Sequence, residues 1–189
     1  PIFQWLDYQY EDYGGFARIV DDRIVEGFRN RFIAGVQLHN GRIDNKQFEN
    51  GPGAKKGPTL LSSSLDRSEN LALYAENSFY FLPSVALVTG TQFLHATRDR
   101  ENRGGSADGS TEFNLWSPKI GLLWDIDRTW QAYFNIARSA EVPSFGESSS
   151  AASPPIPFTD IKAQRATTYE IGTRGRRPDF TWDVALYRM

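Results

Sequence analysis

Five arginines carry most of the chemical options of this sequence. Arg98, Arg100 and Arg103 crowd one polar stretch, and Arg138 and Arg165 flank a second. A guanidinium presents a planar fork of donors that grips carboxylates and other anionic groups through two bonds at once. The first stretch also holds Asp99, Glu101 and Asp108, so local ion pairing suits its arginines equally well. Catalysis has less to work with. Hydrolysis needs a nucleophile with a base within hydrogen-bond reach. Ser148-Ser149-Ser150 lies in a low-complexity run, and neither His39 nor His95 has an obvious Ser or Asp partner. Two histidines far apart in sequence, with no cysteine, argue no metal site, disulfide or thiol chemistry. The glycines between Gly51 and Gly57 do not make a phosphate cradle. The Gly-Lys-Ser/Thr ending is missing, and Pro58 removes an amide that the cradle needs. These residue types point to binding and away from an enzyme.

The bulk numbers narrow the partners. A chain of 189 residues with a formal charge of −2 lacks the basic excess of a nucleic-acid binder. Its aromatic share of 14% is high, and aromatics favour strands and membrane interfaces. A mean hydropathy of −0.49 suits a soluble protein. It suits a membrane barrel equally, because lumen and loop residues dilute the average. No run approaches the roughly 18 apolar residues of a membrane helix. Pro1 opens the chain without a signal peptide and Met189 stops it inside an apolar run, which reads as an internal piece of a longer secreted protein.

The elements that position the arginines are strands. Gly15 to Val20 and Arg31 to His39 read as two, with a turn around Asp21 and Asp22 and with Phe32, Ala34, Val36 and Leu38 on one face. A loop then runs from Gly51 to Pro58. From Leu71 the period of two sharpens. Leu71, Leu73 and Ala75 alternate with polar neighbours, Phe81-Leu82-Pro83 turns the chain, and Val85, Leu87, Thr89, Thr91 and Phe93 return it, opposite Gly90 and Gln92. Thr97 to Thr111 reads as a long loop. Ile120, Leu122 and Trp124 lead to a turn at Asp125 to Arg128, and Trp130, Ala132, Phe134 and Ile136 follow, opposite Gln131. A second long loop spans Arg138 to Gln164. Tyr169, Ile171 and Thr173 then oppose Glu170 and Arg174, and after Pro178-Asp179 come Phe180, Trp182, Val184 and Leu186. Short turns alternating with long loops suit an antiparallel transmembrane β-barrel. Trp124, Trp130 and Trp182 fall beside the short turns on the apolar face, where a lipid-facing aromatic girdle belongs.

Three stretches carry a family likeness. They are Tyr74-Ala75-Glu76-Asn77-Ser78-Phe79 with Val88-Thr89-Gly90-Thr91-Gln92-Phe93; Ser117-Pro118-Lys119-Ile120-Gly121 with the run from Tyr133 to Glu147; and Thr167-Thr168-Tyr169-Glu170-Ile171-Gly172. In this order the chain resembles the barrel domain of TonB-dependent outer-membrane receptors, closely from Leu71 to Met189 and more loosely before it.

The resemblance implies an all-β fold in which residues 1–189 supply about eight strands of a roughly 22-stranded barrel, without the plug domain or the closing C-terminal strand. It implies an outer-membrane receptor that imports a ferric siderophore or similar scarce nutrient and is energised by TonB through the plug. Iron would arrive already chelated, as substrate, so no cofactor or metal ligand is implied. Ligand contacts would come from extracellular loops, with Arg98, Arg100, Arg103, Arg138 and Arg165 as candidates. Gln92, Gln131, Glu170 and Arg174 would face the lumen, and outer-membrane lipid would be the other partner. Two rival readings are a small closed barrel of about eight strands with an adhesive or structural role, and a soluble all-β binding module. The soluble module alone would stay monodisperse without detergent.

Overall fold

The computed structural model describes residues 4–53, 55–104, 107–147 and 161–189, and among them every regular element is a strand. The eight are β1 (Gln4–Val25), β2 (Phe28–Gly51), β3 (Lys55–Leu82), β4 (Val85–Asn102), β5 (Gly109–Asp127), β6 (Trp130–Glu141), β7 (Gln164–Arg176) and β8 (Thr181–Arg188). They form one sheet in sequence order, each antiparallel to the next. The outer edges of β1 and β8 do not meet, so the sheet is an unclosed part of a barrel.

The period-two pattern sorts the side chains as alternation requires. Leu73, Phe93, Ile120, Leu122, Phe134, Ile171, Val184 and Leu186 are exposed on one face. The register aligns them in rows: Leu87 with Leu122, Leu122 with Phe134, Phe134 with Ile171, Ile171 with Leu186. The opposite face is mostly polar. A soluble protein rarely leaves so large an apolar surface uncovered.

Strand ends are where the sequence reading needs correcting. The first turn lies at Glu26-Gly27, with φ of 50° and 87°, the left-handed pair of a two-residue hairpin, and not at Asp21 and Asp22. Those aspartates stay in β1, where Asp21 accepts a bond from Arg23 and Asp22 lies 3.7 Å from Arg29. The supposed loop from Gly51 to Pro58 is a tight connection between long strands. Pro58 sits in β3 where the register slips, with Phe48 facing Leu60 and Asn50 facing Lys56. Such a bulge tolerates a residue that cannot donate to the ladder. At about 90 Å for its 28 residues, β3 is far longer than a bilayer crossing needs. Thr97 to Thr111 is likewise mostly strand, since β4 reaches Asn102 and β5 begins at Gly109. The third turn shifts from Asp125–Arg128 to Arg128-Thr129, because Asp125 and Asp127 extend β5.

Buried packing collects at one end of the sheet. Ala96, Phe113 and Leu115 form an apolar cluster. Nearby Arg100 donates from Nε and Nη2 to the two carboxylate oxygens of Asp66, at 2.6 Å each, with both side chains 3% exposed. At the other end, two turns are tied together. The backbone N–H of Arg176 donates to the Thr129 carbonyl at 2.9 Å, and Arg177 reaches Asp127 at 2.9 Å. Arg177 and the Thr129 amide and hydroxyl hold the Asp127 carboxyl well below the usual carboxylate range.

Two outcomes are expected. Asp66→Ala removes the carboxylate from a buried ion pair and should cost about 3–5 kcal/mol, whereas replacing both Asp66 and Arg100 by apolar residues should recover most of that; unfolding of the detergent-solubilised protein measures both. A depressed carboxylate pKa stabilises above the unfolded value and stops stabilising as pH falls through the folded one. The tie at Asp127 should therefore weaken below about pH 4. The protection factors of the Thr129 and Arg176 amides, with intrinsic exchange divided out, should fall there, and in Asp127→Asn that fall should vanish.

Candidate functional site

The polar face is laced by side chains that reach across strands, and glycines make room for them. Lys119 crosses over Gly90, its directly paired residue on β4, to an ion pair with Glu76 on β3. A Cβ at Gly90 would meet the Lys119 side chain at 2.7 Å. Tyr133 lies over Gly172 in the same way, and its hydroxyl donates to Glu170 at 2.8 Å. Tyr74 covers Gly35. Lower on the face, Gln131 donates to Asp125 at 2.6 Å and accepts from Arg174 at 2.9 Å. Several charged and hydrogen-bonding side chains of this face are thus committed to one another within the wall.

The structure places Gln92, Gln131, Glu170 and Arg174 together on this polar face, Gln131 directly opposite Arg174. Trp124, Trp130 and Trp182 share the other face. Trp130 and Trp182 meet edge to face at 6.3 Å, and the Trp130 indole donates to Thr173 at 2.7 Å. A fourth tryptophan escaped the sequence reading. Trp116 is eight residues from Trp124 on the same face of β5 and hydrogen-bonds Thr91. Counting in twos from Trp124 along Leu122, Ile120 and Pro118 finds it.

The five arginines divide sharply. Arg98 and Arg100 belong to β4, not to a loop. Arg98 donates to the Asn70 side chain at 3.0 Å and to the Thr97 carbonyl at 2.8 Å, and burial lowers its pKa. Arg100 is buried on Asp66. Arg103 spans Glu101 at 3.0 Å and Asp44 at 3.4 Å. Arg138 on β6 and Arg165 on β7 are exposed, and neither has a carboxylate partner among the described residues. Arg138 lines a cleft with Tyr74, Glu76, Gln92, Ser117 and Lys119. Arg165 lines a shallower one beside Glu112, Asn114 and Lys162.

The catalytic and metal options gain nothing from the geometry. His39 lies 3.8 Å from Asp12, and His95 bonds Asn114 at 3.0 Å, on separate strands. Ser148-Ser149-Ser150 lies outside the described residues. No cluster of metal-ligating side chains occurs among the described residues.

Solved structures share the architecture. The ferric citrate transporter FecA superposes with a TM-score of 0.80 at 16% identity, covering 97% of this chain and 28% of that one. The alcaligin outer-membrane receptor FauA of Bordetella pertussis gives 0.73 at 14% identity, covering 98% and 30%. The siderophore receptor PiuA of Acinetobacter baumannii gives 0.72 at 15% identity, covering 96% and 32%. The chain thus spans less than a third of each receptor, and at these identities the likeness is one of fold. No curated protein matches the sequence. The family model for TonB-dependent receptor-like β-barrels, however, matches residues 4–189. An open antiparallel sheet with one apolar and one laced polar face is a section of such a barrel's wall, and this chain belongs to the TonB-dependent receptor family of the outer membrane.

Proposed function

We propose that this chain is one wall of a roughly 22-stranded receptor that takes up an anionic ferric siderophore. The observation that carries this reading is the Arg138 cleft. Arg138 borders that cleft from β6, at the point where β6 leaves β5, and has no carboxylate partner among the described residues, beside Gln92, Tyr74 and Lys119. A chelate rich in carboxylate or phenolate oxygens suits such a guanidinium. Iron stays inside its chelator and needs no ligand from the protein, and no cofactor takes part. Passage requires no covalent chemistry, so the protein acts as a receptor and not as an enzyme.

Gln92, Gln131, Glu170 and Arg174 then line a lumen filled by a plug domain carried elsewhere in the receptor, through which TonB supplies energy. The apolar face meets lipid. Trp116 and Trp124 are separated by about 26 Å along β5, or about 20 Å across the membrane for a strand tilted by 35–45°. That spacing supports girdles at the two interfaces, with Trp124, Trp130 and Trp182 on the periplasmic side.

Radiolabelled iron uptake from ferric citrate and from a panel of ferric siderophores tests the transport reading, and Arg138→Gln should weaken binding of the preferred chelate about tenfold. Arg98→Gln, already bonded within the wall, should change binding little. No uptake of any ferric chelate would refute the proposal. For the faces, Leu122→Arg or Phe134→Arg should cost about 2–4 kcal/mol near the bilayer midplane and Gln131→Arg much less; equal losses of folded protein in the membrane would contradict the assignment.

A further inference from the structure

Three concavities follow one another down the polar face. The uppermost is the cleft that Arg138 borders, with Lys119 in its wall. Lys119 also lines the next, a space of about 190 Å³ beside Val88, Gly121 and Asn135 that reaches Arg174. Arg174 in turn lines the third and widest, about 900 Å³, at the short-turn end of the sheet. Shared walls make the three one groove, narrowest in its middle.

The lower cleft carries an excess of cations. Five arginines line it against three aspartates. Asp127 is neutralised by Arg177, which stands outside the lining, at 2.9 Å. Asp183 faces Arg174 in register, and Arg29 lies 3.7 Å from Asp22 and over the Tyr80 ring. Arg31 on β2, Arg128 at the β5–β6 turn and Arg176 at the end of β7 are exposed, and their side chains have no ion pair or hydrogen bond among the described residues. Register brings these three together. Arg31 pairs with Ser78 on β3, and the Arg176 amide bonds the Thr129 carbonyl, next to Arg128.

We infer that the short-turn end of the groove is a second anion site, in which Arg31, Arg128 and Arg176 receive a small solute bearing several carboxylates. Its occupant rests on the ligand-uptake reading; its charge and shape do not. Guanidinium forks without carboxylate partners complement such a solute. A concavity of this volume holds a small molecule. A cleft lined by one sign of charge also concentrates its counter-ion. In the narrow middle the cations are already held, Lys119 by Glu76 and Arg174 by Gln131. The grip on an anion is therefore weak between the two ends and strong at each of them. A chelate released beside Arg138 has a lower station to reach.

This chain has no cysteine, and Ser78→Cys places one thiol in the lower cleft, directly across from Arg31. In the detergent-solubilised receptor, otherwise free of thiols and at constant ionic strength, it is to be labelled with an anionic (sulfonatoethyl) and a cationic (trimethylammonioethyl) methanethiosulfonate. Corrected for the same reagents on a free thiol, the rates should favour the anion by about threefold or more. Citrate, a tricarboxylate, should slow the labelling by about as much. Both effects should disappear when Arg31→Gln and Arg176→Gln are combined. Both should persist in Arg23→Gln, which lies on the other face in the row of Leu122. No labelling, no preference for the anion, no protection by citrate, or the same loss in Arg23→Gln would overturn the site. None of these readouts needs a transported chelate. A receptor that passes them and takes up no ferric chelate keeps the lower site and loses only the uptake reading.

Discussion

Backbone pairing constrains everything else in this molecule. A strand that crosses hydrocarbon has no water to satisfy its N–H and C=O groups, so each must bond to a neighbouring strand. The unbroken β1-to-β8 ladder meets that demand for its whole middle section. It also sets the parity of every side chain. Once Leu122 faces outward, Leu87, Phe134, Ile171 and Leu186 must do so too, and Gln131, Glu170 and Arg174 must face the other way. A slip of one residue would exchange the faces.

The two faces are built by different physics. The outer face is aliphatic between tryptophans, each with its indole near a threonine hydroxyl in the cases of Trp116 and Trp130. The inner face is held by reach. Lys119, Tyr133 and Tyr74 each lie across a glycine, and a Cβ at those glycines would collide with the crossing side chain. The glycines at positions 35, 90 and 172 therefore serve space and not backbone strain. Lys119 is committed to Glu76, whereas Arg138, in the same cleft beside Tyr74 and Gln92, has no carboxylate bond among the described residues.

The turn and strand errors share one cause. Alternation of apolar and polar residues marks a strand only where one face meets lipid or a core. Beyond the apolar band both faces meet water, the pattern fades, and Asp21, Asp22 and the run from Thr97 to Asn102 look like loop although the ladder continues through them. Salt bridges such as Arg67 with Asp99 and Glu101 replace the apolar signal there. For the same reason Arg98 and Arg100 read as exposed loop residues. Nothing local announces that Asp66, 34 residues earlier, waits opposite Arg100.

By itself the sequence determined the all-β class, the antiparallel hairpins from Leu71 onward, the one face shared by the tryptophans at 124, 130 and 182 and the opposite face shared by Gln92, Gln131, Glu170 and Arg174, because period two is a local property and the family's motifs lie within single hairpins. Tertiary structure alone decided which arginines are spoken for, where β5 parts from β6, and how the β6–β7 hairpin comes to rest on Ala96 and Leu115. Those outcomes depend on register between distant strands and on where a ladder ends. Both are set by the competition of many pairings at once, and no single stretch of residues encodes them.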